Sequence, residues 1–258
     1  MHIKNRGDLE TVIDKPPFIL DWRPSCMAFG EDGGLYVWDS LNQTFFFYEP
    51  GSFQNTNLCH FKGHEVVCMI ASASNSSVLF MDTTKEQIYC IKNQQGGFPV
   101  IEPHAKILVD NILDCFAYDH HTKGLAFAHK NGGVVIQRDS QMYHLFSRSV
   151  AKEISFLKSE MVIVSTDNGM EILGGSKIQT KIKTTPQGLF HLRGEYVSLY
   201  KQYPNNQLML YCHEKLKLDF IPDRMGLFSF TKNGHQKELL AFINQTKKQI
   251  HIHCIVLV

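Results

Sequence analysis

The stretch LAFAHKNGGVVIQ (residues 125–137) contains two short apolar runs on either side of a turn sequence. The runs are Leu125–Ala128 and Val134–Gln137, and their length and their valine, isoleucine and phenylalanine content are typical of strands. Asn131 and Gly132 lie between them and tolerate the positive φ angles that a tight hairpin turn needs. The stretch therefore predicts a β-hairpin.

The same pattern recurs along the whole chain of 258 residues. The other hairpin patterns span residues 34–48, 78–91, 161–173, 196–211 and 239–255. The six turns are centred near positions 41, 84, 131, 168, 205 and 246, which gives a period of about 41 residues. That period is typical of a four-stranded blade of a β-propeller.

Further apolar runs supply the remaining strands of each repeat. One run precedes each hairpin, at residues 26–29, 66–70, 113–118, 154–157, 188–192 and 226–230. Another follows four of the hairpins, at residues 58–61, 142–146, 177–182 and 216–220. We predict an all-β fold, a single β-propeller domain over residues 1–258. Six four-stranded blades are favoured over seven, because no seventh hairpin pattern is present.

The two ends of the chain are predicted to share one blade. The last repeat reaches the C-terminus without its own fourth strand, whereas Leu9–Ile13 has a strand pattern. We expect this N-terminal strand to complete the sixth blade and close the ring, which removes exposed sheet edges. The competing folds are a β-sandwich pair and an α+β fold, since Ile101–Phe116 has apolar spacing compatible with a helix.

The overall composition excludes several classes of protein. Lys and Arg number 26 against 25 for Asp and Glu, which argues against a nucleic-acid-coating domain. No apolar window is long enough to span a membrane, and the N-terminus lacks a secretory signal pattern. The seven cysteines are odd in number and form no CxxC motif, which indicates reduced core thiols. We therefore expect a cytoplasmic or nuclear location.

The net charge of the chain is close to zero, but its two halves carry opposite net charges. Residues 1–128 contain 9 Lys or Arg and 15 Asp or Glu, whereas residues 129–258 contain 17 and 10. The basic half is densest at a group that we name the basic edge, which comprises Lys177, Lys181, Lys183, Lys215 and Lys217. A solvated surface explains this density, and an acidic or phosphorylated protein partner is the alternative.

Motifs that would identify an enzyme are missing from the sequence. It contains no P-loop, no GxGxxG and no GxSxG. His64 and Glu65 are not followed by the second histidine of a zinc-protease motif. His251 and His253 would share one face of a strand and Cys254 the other, which offers at most two ligands where zinc takes three or four. These three residues are therefore interpreted as parts of a strand.

Other polar and aromatic clusters are interpreted as structural. Asp39 and Asp82 occupy equivalent positions after the second strand of two repeats, where a carboxylate can accept hydrogen bonds from turn N–H groups. Asp119–His121 is expected to form a tight connection between strands. The run Phe45–Tyr48 is expected to pack in the core on both sides of its sheet, with a partner contact as the alternative.

Two segments resemble known propeller families. Residues 151–175, AKEISFLKSEMVIVSTDNGMEILGG, resemble a repeat of the propellers named for the regulator of chromosome condensation. Residues 29–49 resemble a WD-type or NHL repeat through Gly34, Trp38 and Asp39. The first resemblance implies regulation of a small GTPase, by nucleotide exchange or as a partner of an exchange factor.

We predict from these observations a non-catalytic interaction scaffold, a subunit of a larger complex, with other proteins as partners. On this interpretation the chain is not an enzyme and needs no cofactor. The small-GTPase regulator is the alternative function. A second alternative is an enzyme with a divalent metal ion in the propeller channel, which would need several Asp, Glu, Asn or His side chains converging from the innermost strands.

Overall fold

The computed structural model describes most of the chain. The described residues are 3–5, 9–14, 18–30, 33–49, 55–71, 78–84, 86–92, 99–158, 161–166, 169–174, 189–193, 196–202, 208–217, 223–232 and 235–257. Within these ranges the chain contains strands and turns but no helix. No segment in them therefore has the helical length and apolar character needed to cross a membrane.

The strands follow one another along the chain with short connections. The first half contains β1 (Ile3–Asn5), β2 (Leu9–Asp14), β3 (Phe18–Ile19), β4 (Pro24–Phe29), β5 (Leu35–Asp39), β6 (Thr44–Tyr48), β7 (Asn55–His60), β8 (Val66–Ala71), β9 (Val78–Asp82), β10 (Gln87–Lys92), β11 (Val100–Lys106) and β12 (Ile112–Asp119). The second half contains β13 (Gly124–His129), β14 (Val134–Arg138), β15 (Gln141–Leu145), β16 (Glu153–Lys158), β17 (Met161–Thr166), β18 (Gly169–Leu173), β19 (Leu189–Arg193), β20 (Tyr196–Gln202), β21 (Leu208–Lys217), β22 (Arg224–Lys232), β23 (His235–Asn244) and β24 (Gln249–Leu257).

The described strands form six sheets, and each contains one of the predicted hairpins. The strand orders are β4-β5-β6-β7, β8-β9-β10-β11, β12-β13-β14-β15, β16-β17-β18, β19-β20-β21-β1 and β22-β23-β24-β2. Neighbouring strands are antiparallel, apart from the parallel pair β1 and β21. The fold is an all-β propeller, as predicted, and each sheet is a blade.

The N-terminal strand completes the last sheet in the predicted way. β2 pairs with β24 in antiparallel register, with Leu9 opposite Leu257 and Asp14 opposite His253. The short strand β3 pairs with the other end of β24. Both contacts cover the outer edge of β24, which would otherwise present unpaired backbone groups.

One of the predicted fourth strands is wrong. A fourth strand was expected at residues 216–220, but Leu216 belongs to the long strand β21, and the outer strand of that sheet is β1. The parallel pairing of β1 joins residues about 200 positions apart, which no local pattern indicates. The helical alternative for Ile101–Phe116 also fails, because these residues belong to β11 and β12 and the connection between them. The strand expected at residues 177–182 lies outside the described residues.

Two compact units divide the chain, and a separate core fills each. The first unit comprises Met1–Gly7 and Leu108–Asp219. Its core is formed by small and branched side chains between neighbouring sheets, with Phe156 and Val162 almost fully buried. Within this unit the first strands β12 and β16 contact each other, as do β16 and β19. The prediction of one domain over residues 1–258 stays a prediction.

The second unit comprises Asp8–Ile107 and Phe220–Val258. One core cluster joins the last sheet to the first and includes Trp22, which stacks on Phe46 with ring centroids 4.3 Å apart. A second cluster joins the first sheet to the next and contains Trp38, Phe45 and Phe80. The first strand β4 contacts both β22 and β8. Aromatic packing is therefore concentrated beside the connection that leads into β8.

The turn after the second strand has the same construction in four of the sheets. The last residue of that strand accepts a hydrogen bond from a turn N–H, as seen for Asp39 Oδ1 with Leu41 (2.9 Å), Asp82 Oδ1 with Thr84 (3.0 Å), His129 Nδ1 with Asn131 (3.2 Å) and Asn244 Oδ1 with Lys247 (3.0 Å). The predicted turn support by Asp39 and Asp82 is confirmed.

Each of these turns also ends in a left-handed residue. It follows the accepting side chain by four positions and is Gln43 (φ 50°), Glu86 (φ 49°), Gly133 (φ 76°) or Lys248 (φ 52°). The repeat is thus visible in backbone geometry although the residue types differ, because any residue can be held in this conformation at a modest energetic cost.

Candidate functional site

The candidate site is a histidine held by a buried carboxylate. His64 lies in the connection between β7 and β8, and Asp82 is the last residue of β9. Nδ1 of His64 and Oδ2 of Asp82 form a short hydrogen bond. The Asp82 side chain is completely buried, whereas 18% of the His64 side chain is exposed. The pair therefore has an interior carboxylate and a histidine that reaches the surface.

The register of two strands brings the pair together. Val66, the first residue of β8, lies opposite Asp82 in antiparallel register. His64 is two residues before Val66, so its side chain reaches the turn that begins at Asp82. The backbone is compatible with this approach because Gly63 takes a left-handed conformation with φ of 78°.

A side chain from the neighbouring sheet holds the connection in place. The Gln43 amide donates to the His64 carbonyl (3.3 Å), and its Oε1 accepts from the Gly63 N–H (3.0 Å). The Gln43 carbonyl also accepts from the Phe61 N–H (2.8 Å). These three bonds fix the two residues Phe61 and Gly63 before His64 and the carbonyl of His64 itself.

The Asp82 carboxylate is saturated with donors. Its Oδ1 accepts from the Glu65 N–H (3.2 Å) and the Thr84 N–H (3.0 Å), while Oδ2 faces His64. A buried carboxylate needs such partners, because a carboxylate that is removed from water without hydrogen-bond donors destabilises the fold. Oδ2 of Asp82 is thereby oriented as the acceptor for the imidazole N–H.

Aromatic rings surround the histidine. The Phe61 ring stacks on His64 at a centroid distance of 3.6 Å, and the Tyr89 ring meets it edge-on at 5.7 Å. Phe80 lies behind both rings, 5.6 Å from Phe61 and 5.4 Å from Tyr89. Burial, and secondly the Asp82 carboxylate, raise the pKa of the Tyr89 phenol. Tyr89 is therefore a neutral hydrogen-bond donor at physiological pH.

The pair has the arrangement of an oriented general base. A carboxylate that accepts from Nδ1–H selects the tautomer whose Nε2 carries the free lone pair. Nε2 is then available to take a proton from water or from a substrate. Within the described residues no group of three or more His, Cys, Asp or Glu side chains is placed to hold a metal ion. The chemistry indicated by the geometry is proton transfer.

The structure does not test the predicted basic edge. Lys177, Lys181 and Lys183 lie outside the described residues. Lys215 and Lys217 belong to β21, of which the structure describes the backbone but not these side chains. The basic edge as a partner-binding surface therefore stays a prediction.

The histidines near the C-terminus belong to a strand, as interpreted from the sequence. His251 and His253 lie on β24, on either side of the buried Ile252. His251 Nε2 contacts Gln249 Oε1 at 3.3 Å, and the His253 ring meets Phe242 at 5.5 Å. The side chain of Cys254 is outside the described set.

The turn and core interpretations of the other clusters are confirmed. Asp119 closes the connection between β12 and β13 by accepting from the His121 N–H (3.0 Å) and the Thr122 hydroxyl (2.5 Å). Phe45 and Tyr48 are buried, and Phe46 and Phe47 pack against the two core clusters of their unit. The aromatic run therefore forms core on both sides of its sheet.

The described cysteines are buried or half-buried. Cys26, Cys90 and Cys115 are buried, and Cys59 and Cys68 are half-buried. Burial raises the pKa of the Cys59 and Cys90 thiols. A thiol with a raised pKa is a poor nucleophile at neutral pH, so these side chains behave as core residues.

The sequence interpretation treated His64 and Asp82 separately and missed their pairing. His64 was considered only for a zinc motif, and Asp82 only as a turn residue. The available signal was positional. A histidine two residues before one strand of an antiparallel pair lies beside the residue that ends the other strand. That signal needs the strand register, which the sequence alone does not provide.

Comparisons with known proteins support the fold. No protein-family model matches the chain, and no curated protein matches it in sequence. A luciferin-regenerating enzyme of known structure is similar with a TM-score of 0.52 and 10% identity, over 92% of this chain and 92% of that one. A candidate gluconolactonase is similar with a TM-score of 0.51 and 10% identity, over 96% and 91%. Virginiamycin B lyase from Staphylococcus aureus gives a TM-score of 0.46 and 10% identity, over 97% and 100%.

These comparisons overturn the functional prediction made from the sequence. The first two structures match nearly the whole chain, and both are named for catalytic activities. The prediction of a non-catalytic scaffold, and with it the prediction that the chain is not an enzyme, is therefore wrong. The error lies in equating absent motifs with absent catalysis. A propeller assembles its site from side chains on separate strands, so no contiguous motif is required.

Proposed function

We propose that this chain is a propeller enzyme that hydrolyses an ester or lactone, with His64 as the general base. The observation that carries the proposal is the hydrogen bond between Nδ1 of His64 and the buried carboxylate of Asp82. It leaves Nε2 as the basic nitrogen on a side chain that reaches solvent. Enzymes that share the fold support the class of function but not the substrate.

The proposed reaction uses one water molecule. Nε2 of His64 takes a proton from that water as its oxygen forms a bond to the carbonyl carbon of the substrate. The carbon–oxygen bond to the leaving group then breaks, and the leaving oxygen takes the proton back from Nε2. Asp82 remains a carboxylate throughout and stabilises the imidazolium through Nδ1–H.

Apolar surroundings favour a cyclic or aromatic substrate. Phe61 and Tyr89 flank the histidine with ring faces and edges, which can pack against a sugar-like or aromatic ring. The candidate gluconolactonase is named for a lactone, and a lactone combines a ring with a hydrolysable carbonyl. Lactones and aryl esters are therefore the substrates to test first.

The test is steady-state hydrolysis of a δ-lactone and of a short-chain p-nitrophenyl ester. His64→Gln should lower kcat by about 100- to 10,000-fold, because general acid–base catalysis contributes that range. Asp82→Asn should lower kcat as well, because the amide no longer selects the imidazole tautomer with a basic Nε2. His60→Gln is the matched control, because His60 lies four residues away and bonds the Thr44 hydroxyl instead of a carboxylate. It should keep kcat within about twofold, well below the effect expected for a general base.

Two results would contradict the proposal. One is the absence of turnover of either substrate class by the wild-type chain. The other is a His64→Gln variant that unfolds more easily but keeps the wild-type kcat, which would assign the pair a purely structural role at the turn. Thermal unfolding of every variant, followed by circular dichroism, separates lost folding from lost catalysis.

The cytoplasmic or nuclear location and the specific kinship with the chromosome-condensation or WD-type families stay predictions. The fold supports a repeat propeller in general. Fractionation of cells that express a tagged chain would test the location.

A further inference from the structure

The outer strand of the third sheet is unusually exposed and apolar. β15 pairs with β14 on one side, and within the described part of the chain no strand pairs with its other side. Its first four residues are all exposed. Met142 and Tyr143 are 47% and 41% exposed, and Phe146, directly after the strand, is 87% exposed. Large apolar side chains in such numbers at a sheet edge are typical of a contact surface.

Another outer strand of the same protein has the opposite character. β11 is also the last strand of its sheet, but Pro103 removes one backbone donor from it. Glu102 on β11 pairs with Lys92 at 2.6 Å, and His104 and Lys106 are exposed on the same strand. Proline and charged residues protect an edge against the addition of another strand. β15 carries no proline and no Lys, Arg, Asp or Glu, so its edge lacks this protection.

We propose that β15 is a docking edge for an extended, acidic segment of a partner protein, which adds to the sheet as a fifth strand. Alternate residues of β15 direct their N–H and C=O groups away from β14, and the added strand would bond to them. Met142, Tyr143 and Phe146 would supply apolar contacts. We name these three residues and the strand itself the β15 edge.

Charge selects the acidic occupant. Residues 129–153 carry four basic side chains, Lys130, Arg138, Arg148 and Lys152, against the two carboxylates of Asp139 and Glu153. Lys130, Arg148 and Lys152 are exposed, and the Arg138 guanidinium lies 5.8 Å from the centre of the Tyr143 ring. A second copy of the chain would bring the same basic group against itself, which costs energy. A segment rich in Asp or Glu complements it.

The segment after β15 is held in one conformation, so the edge is ready for a partner. The Ser147 hydroxyl donates to Glu171 Oε2 (2.6 Å) and accepts from the Ser149 N–H (3.0 Å). The Ser149 carbonyl accepts from the Gly133 N–H (3.1 Å). A pre-organised edge loses little conformational entropy on binding. The bond from Ser147 also engages one oxygen of the nearby Glu171 carboxylate.

The test uses two fluorescein-labelled heptapeptides with alternating residues, Glu-Val-Glu-Ile-Glu-Val-Glu and Lys-Val-Lys-Ile-Lys-Val-Lys. We expect the acidic peptide to bind the full chain at least tenfold more tightly than the basic one by fluorescence anisotropy. Hydrogen exchange should then become slower in residues 141–145 and remain unchanged in β11. Strand addition predicts this protection, whereas a purely electrostatic contact does not.

Paired variants assign the contact to the β15 edge. The double variant Met142→Gln and Phe146→Gln should weaken binding of the acidic peptide at least tenfold, and so should Arg148→Gln with Lys152→Gln. Leu41→Gln is the matched control, because Leu41 is an exposed apolar residue (79%) in the turn between β5 and β6, and it should leave binding within twofold of wild type.

Three results would overturn the proposal. They are equal or undetectable binding of both peptides, binding that the Met142 and Phe146 double variant does not weaken, and a wild-type chain that is dimeric in sedimentation velocity through the β15 edge. Because none of these readouts involves hydrolysis, their outcome is independent of the proposed enzyme activity.

Discussion

Two glycines with almost the same backbone conformation make a sharp test of the turn geometry. Gly133 has φ of 76° and Gly63 has φ of 78°. A Cβ atom on Gly133 would lie 2.2 Å from the Leu145 carbonyl oxygen and 2.9 Å from the Ser147 nitrogen. A Cβ atom on Gly63 would meet nothing within 4 Å. The substitutions Gly133→Ala and Gly63→Ala therefore differ in steric space and hardly at all in backbone angle.

The expected magnitudes follow from that difference. Placing alanine in the left-handed region costs about 1–2 kcal/mol at either position. At Gly133 the methyl group also overlaps backbone atoms, which cannot rotate away, and overpacking of this kind adds about 1–3 kcal/mol. We expect Gly63→Ala to lower the free energy of unfolding by about 1–2 kcal/mol and Gly133→Ala by about 2–5 kcal/mol.

Urea denaturation of the full chain measures both values, with the denaturant slope compared to confirm that the unfolding transition is unchanged. Hydrogen exchange provides a local readout, because Gly133→Ala should accelerate exchange in β14 and β15 and Gly63→Ala should not. Equal losses of stability in the two variants would refute the argument, since the close approach of the Leu145 carbonyl would then have no energetic consequence.

Two further predictions concern the turns and the core. Lys248→Gly should raise the free energy of unfolding by about 0.5–1 kcal/mol, because relief of the left-handed conformation outweighs the loss of the exposed 3.3 Å bond from Lys248 Nζ to the Asp21 carbonyl. Gln43→Gly should lower the free energy of unfolding, since it also removes the bonds to Gly63 and His64. Urea denaturation checks this, and a stabilised Gln43→Gly variant would contradict the assigned role of Gln43. Burial, and secondly the Asp21 carboxylate, raise the pKa of Tyr48 to about 12. The unfolded chain loses this proton first, near pH 10, so stability should fall as the pH rises from about 10 to about 12. Tyr48→Phe should flatten this dependence in denaturation at pH 9 and pH 11, and identical pH slopes for the two proteins would count against it.

The hairpins were predictable because their information is local. Strand, turn and strand lie within about 14 residues, as in residues 125–137, and the turn residues reveal where the chain reverses. The pairing of β2 with β24 was also predictable. The last repeat lacks a fourth strand and the N-terminal segment has one more strand than the first repeat needs, so pairing the two completes the last blade. The parallel pairing of β1 with β21 was not, since nothing in three residues specifies a partner about 200 positions away.

The candidate site was likewise predictable only in part. Asp82 was predicted as a turn support from its place after a strand, and the bond to Thr84 confirms that role. Its second bond, to His64, depends on the antiparallel register that sets Val66 opposite Asp82. The pairing was not predictable from the sequence, because the two side chains lie 18 positions apart and meet only after folding.

The sequence by itself determined the secondary structure, the repeat period and hence the propeller class, because alternating apolar runs and turn residues act over a few positions. Only the tertiary structure decided which polar side chains meet and which strand edge stays open. Those outcomes depend on register and on packing between strands distant in the chain. The aspartate buried beneath His64 and the exposed edge of β15 follow from those contacts, and both proposals rest on them.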